Sequence, residues 1–244
     1  FKENVQEVEI SINDFIDRAF TKIRSAEGAF KLLQDVKKIQ RARKEGDDDA
    51  INHNMQLKSI HILDQFGGEV EHIKQIFNAE KDNPPLTKNL PPIAGKIYWA
   101  DSLFQRIRAP ILSISRDILD SNEKGKQIKE KCSEVGQMIK DYENKLFVDW
   151  SNRVANDAMF YLKHNILRGE LGELRGESNF DPKLTLIIQE TKYLDKLNKH
   201  VPEIAQNVTL QEDKYHLYVE SLKIMLDNFN ATVEELDAAE RSIL

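Results

Sequence analysis

The 244-residue sequence contains very few of the residues on which covalent cross-linking and thiolate chemistry depend. Its single cysteine, Cys132, can form no internal disulfide and cannot build a thiolate metal site. This usage is typical of a reducing compartment. Only 10 glycines occur, while 31% of the residues are charged, which favours long helices over turn-rich β structure.

The chain also lacks an excess of basic charge and a long apolar run. It carries 35 basic against 41 acidic residues, a net charge of −6. Because phosphate binding needs a basic face, we expect no nucleic-acid partner. No apolar run approaches the roughly 20 residues that span a bilayer, and no signal peptide opens the chain, so we expect no membrane insertion.

Motifs that carry catalysis or hold cofactors are absent. Gly95 precedes a lysine as in a phosphate-binding loop, but Ile97 replaces the required Ser or Thr and Leu90 the first glycine. The glycines between 169 and 176 lack the spacing of a dinucleotide fingerprint. The sequence therefore predicts no enzyme activity and no cofactor in this chain.

Three histidines of the second predicted helix are candidate metal ligands, but their spacing does not fit a metal site. They are separated by eight and eleven residues rather than by the four that place two ligands on one helix face. No cysteine or acid cluster completes such a site. We therefore predict surface positions for these residues, which are His53, His61 and His72.

Apolar residues recur at steps of three and four through most of the chain, which predicts amphipathic helices. The first stripe runs over residues 4–44 and predicts one helix of roughly 60 Å. A second helix is predicted over 50–79. The third is the central helix described in the next paragraph. A fourth helix is predicted over 123–156, with Trp150 buried.

Two Pro-Pro pairs, at 84–85 and 91–92, mark the segment around which the chain is organised. Proline lacks the N–H that a helix interior needs, so no helix continues through residues 83–92. Because proline suits the first helical position, Pro91 or Pro92 should open a central helix. Its apolar stripe reaches Ile111, with Trp99 on a second flank, and Pro110 is expected to kink it.

The C-terminal third is interrupted by glycines and then returns to helix. Residues 159–180 partly alternate between apolar and polar, which leaves open two interpretations: two short strands around a loop, or a frayed helix followed by a flexible loop. Asp181-Pro182 then provides a strong helix start, and Val201-Pro202 is predicted to end that helix and begin another. Further helices are predicted over 209–229 and 232–243.

These patterns predict an all-α fold, an elongated array of consecutive helical bundles with at most one short β-hairpin near 159–180. We expect a long helical hairpin or bundle over 1–82. The segment 83–92 with its two Pro-Pro pairs, here called the proline elbow, begins a central bundle that we expect over 83–168. A glycine-rich loop and a C-terminal bundle are expected over 169–244. Because the chain begins with Phe1 and its helical pattern is unfinished at Leu244, we expect a segment of a longer protein.

Two stretches resemble the tail of the dynein heavy chain family. Residues 91–99 read Pro-Pro-Ile-Ala-Gly-Lys-Ile-Tyr-Trp, and residues 178–184 read Ser-Asn-Phe-Asp-Pro-Lys-Leu, followed by Glu-Thr-Lys-Tyr-Leu at 190–194. Further matches keep the same order over nearly the whole chain. The chain departs from the family in an acidic insert at 46–49 and in Ser178, where valine is common. The positions that carry the resemblance are Pro91, Pro92, Ala94, Gly95, Trp99, Trp150, Asn179, Phe180, Asp181, Pro182, Lys192, Tyr193, Leu194 and Pro202.

The resemblance implies a non-catalytic segment of a dynein stem, since in that family the motor ring lies far downstream. It implies a scaffold for the WD-repeat intermediate chain and the light chains, with another heavy chain or a docking complex as further partners. Asn-Phe-Asp-Pro favours the axonemal over the cytoplasmic form. The implied location is the cytoskeleton, in the axoneme of a cilium or flagellum, where the stem docks the motor to the doublet microtubule.

A generic helical tether or spectrin-like spacer, unrelated to dynein, is the alternative. It shares the composition and the long helices. It gives no reason for the proline elbow or for the Asn-Phe-Asp-Pro stretch, so the dynein interpretation is preferred.

Overall fold

A computed structural model describes residues 2–23, 25–42, 49–87, 89–114, 116–120, 123–163, 167–168, 177–178 and 182–235. The regular elements in this part of the chain are helices, apart from two strands of two residues each, so the all-α prediction is confirmed. None of its helices combines the length and apolar content that crossing a membrane requires. The elements in chain order are α1 (Lys2–Lys22), α2 (Ala26–Ala42), α3 (Asp49–Glu80), α4 (Pro92–Ser113), α5 (Arg116–Asp120), α6 (Glu123–Lys163), β1 (Leu167–Arg168), β2 (Glu177–Ser178), α7 (Pro182–Lys196), α8 (Glu203–Leu210) and α9 (Glu212–Glu235).

The single helix predicted over 4–44 is wrong, because the chain leaves helix between α1 and α2. Ser25 caps α2: its Oγ accepts a hydrogen bond from the N–H of Gly28 at 3.2 Å, and its carbonyl accepts one from Ala29 at 3.1 Å. A serine that satisfies the first N–H groups of a helix favours a new start over continuation. The apolar periodicity continues across the break, so periodicity alone missed it.

Helices α3 and α6 lie side by side and run in the same direction. Their charged side chains pair in the same order along both helices: Asp64 with Lys124, Glu71 with Lys131, and Lys74 with Glu134. Further along, the hydroxyl of Tyr142 donates to the carbonyl of Lys81 at 2.6 Å. Exposed pairs of this kind stabilise weakly, so their main consequence is to fix the register of the two helices.

The chain divides into two compact units, each with its own apolar core. Phe1–Pro85 and Trp99–Glu143 form the first, whose core includes Phe30, Phe66 and Phe77. Leu86–Tyr98 and Asn144–Leu244 form the second, whose core includes Trp150 and Leu194. This division follows packing rather than chain order, and the three consecutive segments of the sequence analysis stay a prediction.

The structure corrects the predicted end of helix α6 and shows which parts of the two alternatives for residues 159–180 apply. Helix α6 extends to Lys163, so residues 159–163 are helical and not part of a hairpin. The buried residues Val154 and Ala158 continue its inward stripe, which explains the extension. Beyond it, β1 pairs antiparallel with β2 through Leu167 opposite Ser178 and Arg168 opposite Glu177.

Helix α7 begins at Pro182, as predicted, but ends before Val201. Asn198 adopts the left-handed conformation with φ 56°, and the N–H of Lys199 donates to the carbonyl of Leu194 at 3.0 Å. This is how helices commonly stop, and asparagine tolerates the conformation better than most residues. The break predicted between 229 and 232 is also wrong, because α9 continues to Glu235.

Cys132 is buried in the core of the first unit, and we expect its thiol to be almost unreactive in the folded protein. Burial raises its pKa to about 12, against a smaller lowering by the charge of Lys131. Because the thiolate is the reactive form, a shift from about 9 to about 12 lowers its population roughly 1,000-fold. A thiol-reactive chromogenic reagent at pH 8 should label the native chain slowly and the urea-unfolded chain fast. Equal rates would contradict the burial.

Candidate functional site at the start of helix α4

Helix α4 starts at the second Pro-Pro pair, within the second unit. Pro92 is its first residue, and the carbonyl of Pro91 accepts the first helical hydrogen bond from the N–H of Gly95 at 2.7 Å. Proline at the first position loses nothing, since that N–H would have no helical partner. The next two N–H groups, of Ile93 and Ala94, do need acceptors, because they too precede the first helical hydrogen bond.

Glu190, on α7, supplies both acceptors. One carboxylate oxygen accepts from the N–H of Ile93 at 2.7 Å, and the other accepts from the N–H of Ala94 at 2.7 Å. The side chain is 2% exposed. A carboxylate here also lies at the positive end of the helix dipole, so charge and hydrogen bonding act together. Glu190 therefore ties α7 to the first turn of α4.

Burial raises the pKa of Glu190, while the hydrogen bonds from Ile93 and Ala94 oppose that rise. The folded state thus holds this proton more tightly than the unfolded chain. The part of the stability that comes from this tighter proton binding is fully present below the ordinary value of 4.5 and is lost as pH rises through the raised pKa, while the two hydrogen bonds to the charged carboxylate persist.

We therefore expect Glu190→Gln to change how stability depends on pH. In that variant, the decline in the free energy of unfolding above pH 4.5 that belongs to Glu190 should be absent. Urea unfolding of both proteins between pH 4.5 and 8 measures the difference. Parallel stability curves for the two proteins would show that the carboxyl has the same pKa in both states.

The contact between Glu190 and the first turn of α4 is called the Glu190 junction below. A shallow cleft of about 260 Å³ opens beside it, within the second unit. The start of α4 lines it with Pro92 and Ile93, α6 with Trp150, Arg153 and Asp157, and α7 with Lys183, Leu186, Ile187 and Glu190. Both oxygens of Glu190 are engaged with backbone N–H groups, so it is poorly placed to transfer protons. The geometry is that of a structural junction.

The described residues hold no group of three His, Cys, Asp or Glu side chains arranged for a metal ion. The three histidines considered in the sequence, His53, His61 and His72, are exposed on α3, as predicted.

Comparison with known proteins identifies the family. The sequence model described as "Dynein heavy chain, N-terminal region 1" matches residues 1–244, the whole chain. The chain belongs to the dynein heavy chain family. It corresponds to an N-terminal region of the axonemal type, as the sequence resemblance predicts.

The relatives are axonemal and flagellar heavy chains. The chain is 37% identical over its full length to the dynein-1-alpha heavy chain of the flagellar inner arm I1 complex of Chlamydomonas reinhardtii. It is 38% identical over 75% of its length to human dynein axonemal heavy chain 10, and 33% identical over 91% to mouse dynein axonemal heavy chain 8. The chain spans only 5%, 4% and 5% of the length of these three relatives.

The structure brings the two dynein-like stretches together. Glu190, the first residue of the Glu-Thr-Lys-Tyr-Leu part of the second stretch, accepts hydrogen bonds from Ile93 and Ala94 of the first, 97 and 96 residues away. Ala94 and Leu194 are buried in one core with Trp150, which confirms the buried position predicted for that tryptophan. The contact of Glu190 with Ile93 and Ala94 gives a physical reason for an acid at position 190 and links it to the helix start in the first stretch.

The other positions that carry the dynein resemblance differ in their contacts and exposure. Lys192 is exposed and forms an ion pair with Glu212, while the ring of Tyr193 lies 5.0 Å from Lys196 Nζ. Pro202 occupies the N-cap position of α8. Trp99 belongs to the first unit and stacks on Phe77. Pro182 is the first residue of α7, and Asn179, Phe180 and Asp181 lie outside the described residues.

Gly95 lies where the elbow segment packs closely on the first turn of α4. A Cβ added there would lie 3.2 Å from Cδ2 of Leu86 and 3.4 Å from Cβ of Leu90. The glycine lets the elbow segment lie against the first turn of α4 without displacing these leucines.

Sequence reasoning did not assign a role to Glu190. A signal was present: the position lies three residues after Ile187 on the inward stripe of α7, where an acid is rare unless it has a partner. Identifying the partner required the fold, because Ile93 and Ala94 contribute backbone groups that no residue type reveals.

Proposed function

We propose that this chain is a non-catalytic stem segment of an axonemal dynein heavy chain. It scaffolds intermediate and light chains and docks the microtubule motor to the doublet microtubule, for ciliary and flagellar motility. The observation that carries the proposal is the Glu190 junction, in which residues from the two dynein-like stretches take part in helix capping. The proposed location is the axoneme.

A scaffold must hold its helices in fixed directions, and the junction does so at the start of α4. Two charge-assisted hydrogen bonds hold the first turn of that helix, and Pro91 and Pro92 restrict the backbone that enters it. Another heavy chain or a docking complex is a further proposed partner. In this proposal ATP hydrolysis belongs to a part of the heavy chain outside these 244 residues.

The generic helical spacer is not favoured, because the family match covers the whole chain. A spacer also gives no reason for a buried acid that joins residues 97 positions apart.

Titration of the 244-residue chain with a recombinant WD-repeat dynein intermediate chain tests the proposal. We expect saturable one-to-one binding, measured at two salt concentrations to separate charge steering from apolar contact. A helical protein of similar length and net charge serves as the control partner and should not bind. Absence of saturable binding to a correctly folded intermediate chain would overturn the scaffold proposal. ATP turnover by the purified chain would overturn its non-catalytic part.

A further inference from the structure

Helix α9 exposes a broad apolar face in addition to the face that it buries. Leu217 and Ile224 are 61% and 59% exposed, and Tyr218, Met225 and Phe229 are exposed as well. Leu226 and Val233 are buried on the inward side of the same helix, and Tyr215 packs on the core of the second unit. The helix is therefore already anchored, and the exposed face is a second one.

The exposed residues follow helical spacing. Leu217 and Tyr218 lie one after the other, and Ile224 and Met225 repeat that pair seven residues later, two turns along the helix. With Phe229 they cover an arc of roughly 140°. Scattered apolar residues on a surface need no explanation, but apolar pairs that repeat on one side of a helix, here separated by Ser221 and Asn228, are typical of an interaction site. Tyrosine, phenylalanine and methionine are also enriched in interfaces.

Acidic side chains line one flank of this face. Asp213, Glu220 and Asp227 recur at every seventh residue, and all three are exposed. Their spacing equals that of the apolar pairs, so the acids run parallel to the apolar face along about four turns. Lys214 is the basic residue on the face itself, near the start of the helix.

We propose that this face of α9 binds an amphipathic helix of a separate polypeptide, one whose apolar stripe is flanked by lysine or arginine at seven-residue intervals. The inference rests on the proposed scaffold function and names a surface for it. The apolar stripe covers Leu217, Ile224 and Met225, and the basic flank pairs with Glu220 and Asp227 in the manner of a coiled coil.

The acidic row, formed by Asp213, Glu220 and Asp227, favours a separate basic helix over a second copy of this chain and over a membrane surface. Charge complementarity mainly speeds encounter and selects among partners, which matters for a partner that arrives by diffusion. A second copy of this chain would bring two acidic rows to one interface, where like charges repel. An anionic membrane surface would likewise repel the row, since membrane-binding helices carry lysine and arginine on the polar face.

A designed peptide tests the proposal directly. The probe is a labelled 21-residue amphipathic helix with leucine on one stripe and lysine at every seventh flanking position, titrated into the 244-residue chain by fluorescence anisotropy. We expect saturable one-to-one binding that weakens with salt. Ile224→Ser and Glu220→Lys should each weaken it at least tenfold. The matched surface changes Leu112→Ser and Glu130→Lys, on α4 and α6, should leave it unchanged.

Several results would overturn the assignment. A peptide with glutamate in place of lysine that bound equally well would remove the role of the acidic row. Self-association in sedimentation, lost in Ile224→Ser, would assign the face to a second copy, and binding to anionic vesicles would assign it to membranes. If an intermediate chain binds the Ile224→Ser chain as tightly as the unchanged chain, the scaffold function stands and this surface is not its site.

Discussion

Replacing Glu190 with alanine should lower the free energy of unfolding by about 2–4 kcal/mol. The change removes the acceptors of two N–H groups at 2.7 Å and leaves the buried N–H of Ala94 and the partly buried N–H of Ile93 unpaired. Each unpaired buried donor costs about 1–3 kcal/mol. Urea unfolding followed by helical circular dichroism measures the loss.

Two variants separate the capping role from a general loss of packing. Gln189→Ala alters the exposed neighbouring residue and should change stability by less than about 0.5 kcal/mol. Glu190→Gln keeps the shape and one acceptor oxygen, so it should fall between alanine and the unchanged chain. A Glu190→Ala protein as stable as the Gln189→Ala protein would show that the two hydrogen bonds do not stabilise the fold.

Replacing Trp99 with alanine should lower the free energy of unfolding by about 3–5 kcal/mol. The indole is 8% exposed and stacks on Phe77 with ring centroids 5.9 Å apart and planes 12° apart. Tyr142 meets both rings edge-on, at 5.4 Å from Phe77 and 6.4 Å from Trp99. Truncation leaves a cavity that these rigid neighbours cannot fill, which adds to the lost burial.

Tyr98→Ala is the matched control, since the adjacent aromatic on the same helix is 49% exposed. It should change stability by less than about 1 kcal/mol. Trp99→Phe keeps an aromatic ring against Phe77 and should recover a large part of the loss. Similar stabilities for Trp99→Ala and Tyr98→Ala would be incompatible with the aromatic cluster as a centre of packing in the first unit.

Local chemistry made most helix positions predictable. Pro92 and Pro182 open helices because proline fits the first helical position whatever surrounds it. The elbow before α4 is non-helical for a similarly local reason, the missing N–H of its prolines. The end of α7 near Asn198 and the start of α2 at Ser25 also have local causes. Apolar periodicity continues past both positions, so it did not reveal them.

The sequence by itself determined the helical class, the elbow and the dynein kinship, because these depend on residue types within a few positions of one another. Only the tertiary structure decided which distant groups meet. Glu190 reaches Ile93 across 97 residues, and α3 runs in the same direction as α6. It also decided that α9 buries Leu226 and leaves Ile224 exposed. Apolar residues on a helix show that the helix packs, but which of two apolar faces is covered depends on where the chain places its neighbours.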